Sequence, residues 1–177
     1  MPASPNTANH SYRYPIFFFQ ILAMICLVCV LHAAEEISDK NYLKLEKKLK
    51  ASADPIGKAK TLIQMADFQL QGAVHHVKNS NFTEADQYLS RYQATIRQTQ
   101  EILESSGRNA QKNSTGFRDF EIALRRQLRA LEDLRSSYPY EQAQKLSGAI
   151  ADAKAAQESM LVKIFGEGNF GKRNEAK

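Results

Sequence analysis

From Asp54 to Ile164 the apolar residues recur at alternating spacings of three and four, the period that gathers them on one side of a helix. The first run is Ile56, Ala59, Ile63, Ala66, Leu70, Ala73 and Val77, broadened by Leu62 and Val74 to the stripe of a helix with several neighbours. Asp54 and Pro55 mark its start, an acceptor for free amides followed by a residue without an amide proton. Asn79, Ser80 and Asn81, three turn formers, end it. Asn81 and Glu84 have the spacing of a capping box. They open a second run, Ala85, Leu89, Tyr92, Ile96, Thr99 and Leu103, which ends at Ser105, Ser106 and Gly107.

Residues 107–116 carry no apolar period and form a loop long enough to cross one end of a helical assembly. Phe117, Phe120, Leu124, Gln127, Leu131, Leu134 and Tyr138 make the third run, with Leu128 beside it. Pro139 breaks it, because proline disfavours helical geometry in the residue before it. The fourth is Ala143, Leu146, Ile150, Ala153, Gln157, Met160 and Ile164.

These runs predict an all-α fold with four helices of about 23 to 26 residues, roughly 35 to 39 Å long. Short turns between matched lengths favour an antiparallel up-down-up-down four-helix bundle, its helices crossing at about 20°. An additional N-terminal helix over residues 37–53 has Tyr42, Leu45 and Leu49 on one face and Lys40, Lys44, Lys47, Lys48 and Lys50 around the remainder. It is expected to pack on one end of the bundle or to act as a stalk. Asp39 and Glu46 are interspersed with these lysines, which reads as a solvated face.

Ahead of this lies a different pattern. Tyr14 to Ala34 has no formally charged residue and includes an unbroken apolar stretch on either side of Gln20. Its length falls between the core of a secretory signal peptide and the roughly 20 apolar residues of a membrane span. Arg13 precedes it and Glu35 and Glu36 follow, which reads as the N-terminus held inside and the remainder sent across the membrane. The step from Ala33 and Ala34 to two glutamates favours a processing boundary, with an uncleaved anchor as the alternative. The expected organisation is residues 1–34 as signal peptide or uncleaved N-terminal membrane anchor, 35–54 as a basic amphipathic helix, 55–165 as the helical bundle domain and 166–177 as a disordered tail. The expected location is periplasmic or extracellular, or anchored by one span with the bundle outside the cytoplasm.

Both cysteines, Cys26 and Cys29, lie in the apolar stretch. The remainder therefore has no thiol for a disulfide, a thiolate metal site or a nucleophile. Beyond residue 34 there are 23 Lys and Arg against 19 Asp and Glu, a net charge of +4. The signs are mixed along the chain, unlike the basic stripe of a nucleic-acid binder, so no nucleic-acid partner is expected.

The chemistry-bearing residues are few. His75 and His76 are the only histidines beyond the leader; as helix neighbours they point about 100° apart and do not chelate one ion as an i, i+4 pair does. No HExxH, di-iron Glu-x-x-His, haem-attachment or phosphate-loop motif occurs. Gln127 and Gln157 occupy seam positions, either as buried polar residues that fix helix register or as edge residues. Asn81 and Asn113 head glycosylation sequons. No catalytic, cofactor or metal residue is assigned.

The stretch from Asn81 to Tyr92 resembles the second helix of a tetratricopeptide repeat, with Ala85 and Leu89 at packing positions. Ala73 stands where that family has a small glycine, but Gln69 and His76 replace its usual aromatics. The similarity covers one repeat of about 34 residues, whereas about three make a stable array, so the family is not assigned. The functional expectation is an exported, non-enzymatic bundle contacting an unknown envelope protein or itself, and touching the membrane only through residues 14–34 if these are retained. A bundle holding a small apolar ligand and a degenerate tetratricopeptide-like adaptor are the alternatives.

Overall fold

The computed structural model describes residues 40–140 and 143–166. The expected leader or anchor, Cys26 and Cys29, and the tail beyond Gly166 lie outside the described residues. The chain divides into two compact units, Met1–Asn41 and Tyr42–Lys177. Five helices and no strand are present among the described residues: α1 (40–51, from residue 42 on within the larger unit), α2 (Pro55–Lys78), α3 (Phe82–Ser105), α4 (Phe117–Leu134) and α5 (Ala143–Phe165). The fold class is all-α.

Asp54 caps α2 as its sequence position predicts, its carboxylate accepting from the Gly57 amide at 2.8 Å ahead of Pro55 at the first turn. The capping box at Asn81 does not form: Asn81 precedes α3 with no side-chain cap bond, and its amide instead donates to the His76 carbonyl at 2.8 Å. The tight turn, with Ser80 at φ 57°, thus satisfies the end of α2 and leaves Glu84 free of that duty. α4 is shorter than expected, 18 residues. Tyr138 remains buried, but as a plug in the following turn rather than as a helical seam residue.

α2 packs on α3 and on α4, and α5 packs on α3 and on α4. Side-chain bonds give the directions. Across α2 and α4, Lys60 meets Asp119 and Asp67 meets Arg126; across α3 and α5, Gln93 meets Asp152 and Glu104 meets Lys163. Each pair is offset by 59 residues, so these neighbours run parallel and in register. The hairpins α2–α3 and α4–α5 are internally antiparallel, and one lies beside the other in the same orientation. α3 and α4, consecutive in sequence, face each other across the core.

Residues 106–116 make that crossing. Asn109 orders the loop by accepting from the amides of Gln111 and Lys112, Ala110 turns inward to the core, and Arg108 pairs with Asp54. Gly116 closes it at φ 87°, where a Cβ would stand 2.8 Å from Ile56 Cδ1. A non-glycine residue there meets both backbone strain and a packed isoleucine.

The core follows the predicted seams closely. All six seam residues of α3 are buried, as are Phe117, Phe120, Leu124, Gln127, Leu131 and Leu134 of α4. In α2 the alanines Ala59, Ala66 and Ala73 are fully buried every seventh residue, which lets α3 approach closely, while Tyr92, Phe117 and Phe120 fill wider layers. Each fully buried Leu, Ile or Phe side chain contributes about 1.5–3 kcal/mol. α2 is buried on a second side as well, at Thr61, Met65 and Gln69. There α1 lies along its flank, with Tyr42 against Phe68 at 5.3 Å between ring centroids. The N-terminal helix is therefore neither an end cap nor a stalk: Tyr42 and Lys48 meet α2, and Leu45 and Leu49 are half-buried on the same side of α1 as Tyr42.

Candidate functional site

Among the buried polar side chains, Gln127 and Glu121 each centre a hydrogen-bonded network that joins helices across the core. In the first, the Tyr92 hydroxyl of α3 donates to Gln127 Oε1 of α4 at 3.2 Å, and Gln127 Nε2 donates to Asp67 Oδ1 of α2 at 2.8 Å. Arg126 closes the chain from the surface by donating to the other Asp67 oxygen. Burial, and then the charges of Asp67 and Asp152, push the Tyr92 hydroxyl well above the usual tyrosine range, so it stays protonated and keeps its donor role.

In the second, Glu121 of α4 is 3 % exposed. Its oxygens accept from Arg125 at 2.6 Å and from Gln157 of α5 at 3.2 Å. Glu121 stands off the apolar seam of its helix, yet the structure turns it inward beside Phe120 and gives it two partners. Gln127 is thus a buried register residue and Gln157 a half-buried one that reaches Glu121. A third polar tie joins the Tyr138 hydroxyl to Asp86 at the start of α3, with Phe82 packed edge-on against the Tyr138 ring. Burial, then the Asp86 hydrogen bond and charge, raises this hydroxyl too.

The first network opens to solvent through a groove between α2 and α4. Its floor is Leu70, Val74 and Ala130, its rim Asp67, Gln71, Arg126 and Gln127, and its volume about 260 Å³. A second cleft of about 280 Å³ lies at the crossing loop, lined by Glu104, Arg108, Gln111 and Lys163 among others.

The histidines do not converge on either. His75 is exposed and meets Asn79 through Nε2 at 3.0 Å, while His76 stacks on Tyr88 with 5.2 Å between ring centroids. Arg91 covers the Tyr88 ring at 5.6 Å. No group of three metal-ligating side chains is gathered among the described residues. Asn81 and Asn113, the sequon asparagines, are exposed at loops. No helix among the described residues is long and apolar enough to cross a membrane.

Asp67, Glu121 and Asp86 were not singled out by sequence pattern. A signal for the first two existed: each stands directly beside a seam residue, Ala66 or Phe120, and a glutamine occupies a seam position on a neighbouring helix. Comparison with family models, curated proteins and solved structures found no match.

Proposed function

We propose that this chain is an exported, non-enzymatic helical bundle that works through protein contacts at the cell envelope. The reading takes residues 1–34 as a signal peptide or uncleaved anchor and the helices as an up-down-up-down four-helix bundle. The observation that carries it is how the bundle uses its buried polar groups. Tyr92, Gln127, Asp67, Glu121 and Gln157 bond to one another across helices. Among the described residues only Gln69 Oε1 is buried without a partner. Side chains committed in this way fix register and present a rigid outer surface, which suits recognition by contact better than turnover.

The test is crosslinking of the full chain in its native cells, combined with fractionation and N-terminal sequencing. An envelope protein, or a second copy, captured by the folded chain and not by a core-disrupted variant is the expected result. Recovery of the chain uncrosslinked in the cytoplasmic fraction overturns the reading.

A second reading, a small apolar ligand held by the bundle, draws on the α2–α4 groove with its floor of Leu70, Val74 and Ala130. At about 260 Å³ the groove is slightly below the range of about 300–1,000 Å³ usual for drug-sized ligands. An organic extract of natively purified protein that contains no stoichiometric small molecule ends that reading.

A further inference from the structure

α1 separates its charges across the helix. Tyr42, Leu45, Glu46 and Leu49 are half-buried and follow the i, i+3, i+4, i+7 stripe of a helix lying on a neighbour. Tyr42 identifies that neighbour: its ring meets Phe68, its hydroxyl accepts from Gln69 Nε2 at 3.1 Å, and Lys48 Nζ reaches Gln64 Oε1 at 3.5 Å, all on α2. Glu46, the one acidic residue between positions 40 and 53, belongs to this packed side. The outward side consists of Leu43, Lys44, Lys47, Lys50 and Ala51, all exposed. In the sequence, lysines interspersed with Asp39 and Glu46 read as a solvated face of mixed sign. Asp39 lies outside the described residues; from residue 42 to 51 the outward face carries lysines and no acid.

We infer that the outward face of α1 docks on an anionic lipid bilayer, the ammonium groups of Lys44, Lys47 and Lys50 engaging headgroup phosphates and Leu43 entering the interface. Charge complementarity is the first support. Three cations fall within about 9 Å of helix axis with no acid among them, and each lysine at such a surface strengthens attachment about fivefold. Leu43 is the second: an apolar side chain, 53 % exposed, set among the lysines is the composition of an interfacial helix face. The third is position in the chain. Lys44 follows Ala34, the end of the apolar stretch, by ten residues, no more than about 36 Å of extended chain. Position supports docking only under the proposed reading of that stretch: retained as an anchor it holds α1 beside the bilayer, and cleaved it carries the chain across the membrane only in transit. The inference concerns a lipid surface and stands whether or not the protein contacts proposed above are found.

The experiment places the full chain in nanodiscs of phosphatidylcholine, with or without added phosphatidylglycerol, and reads acylation of each lysine by mass spectrometry. Acylation of Lys44, Lys47 and Lys50 is expected to fall about tenfold in the anionic discs. Lys112 and Lys145, exposed on other segments, serve as references and stay unchanged. Protection disappears in about 1 M salt, where the screening length is about 3 Å. In K44E/K50E, Lys47 is the reporter and loses its protection. Equal acylation in the two kinds of disc overturns the inference. So does a Lys47 that stays protected in the variant, or stronger protection by soluble polyphosphate in neutral discs than by the anionic bilayer.

Discussion

The Tyr92 hydroxyl crosses the core from α3 to Gln127 of α4 at 3.2 Å, joining two helices that are consecutive in sequence but opposite in space. Gln127 extends the link to Asp67 of α2. One polar chain therefore ties three helices, and its geometry is met in one axial register. Truncating a single member leaves a buried partner unpaired. Tyr92→Phe or Gln127→Leu alone is expected to cost about 1–3 kcal/mol. The double variant should cost clearly less than the sum, because the Tyr92 hydroxyl and the Gln127 carbonyl, each orphaned in one single variant, are then both gone, while Asp67 Oδ1 lacks Gln127 equally in the single and the double variant. Urea unfolding of the four proteins checks this; strictly additive losses would mean that the two residues act independently.

Alkaline pH should weaken the fold through its buried phenols. Tyr92 and Tyr138 are both held above the usual tyrosine range, chiefly by burial. Below the unfolded value of about 10 both states are protonated and the stabilisation is fully present. As pH rises beyond it, the unfolded chain ionises first, and stability falls by up to about 1.4 kcal/mol per pH unit for Tyr92. Tyr138, nearer to solvent, should contribute less. Urea midpoints at about pH 9 and about pH 11 should therefore separate widely for the natural chain and less for Tyr92→Phe. An identical drop in both proteins would assign the alkaline loss to other groups.

Gly72 sets two effects against each other. Alanine in a helix interior is favoured over glycine by about 1 kcal/mol. A Cβ at this position, however, would lie 2.4 Å from the Tyr88 ring, which His76 and Arg91 hold in place. Displacing a packed ring typically costs about 1–3 kcal/mol, so Gly72→Ala is expected to lower the thermal midpoint. In a Tyr88→Ala background the same substitution should raise it. A change of the same sign in both backgrounds would remove the ring contact as the cause.

The helix seams were legible because burial in a helical core imposes a period, and Ala85, Leu89, Tyr92, Ile96, Thr99 and Leu103 obey it without exception. Asp54 and Pro55 were legible because capping is a local matter. The Asn81 cap failed where a local rule met a competitor, the His76 carbonyl reaching its amide across the turn. The parallel pairing of α2 with α4 was not legible: short turns imply antiparallel hairpins but leave open which hairpin faces lie side by side. The orientation of single charges was lost for a similar reason. Glu121 and Glu46 read as surface residues by type, and only their positions relative to a neighbouring helix turn them inward.

Gln69 offers a test of polar burial with the opposite sign to Tyr92. It is 2 % exposed, its Nε2 donates to the Tyr42 hydroxyl at 3.1 Å, and its Oε1 has no partner. Gln69→Met gives up one hydrogen bond, about 0.5–1.5 kcal/mol, but removes a desolvated carbonyl that costs about 1–3 kcal/mol. The Tyr42 hydroxyl is only partly buried and can turn to water. The substitution is therefore expected to be neutral or stabilising. Tyr42→Phe, in contrast, leaves both polar atoms of Gln69 unpaired and should destabilise by about 1–2 kcal/mol. Urea unfolding of the two variants decides it. If Gln69→Met loses as much stability as Tyr42→Phe, the carbonyl is satisfied in solution and α1 is held to α2 by a fuller polar contact than the Tyr42 bond alone.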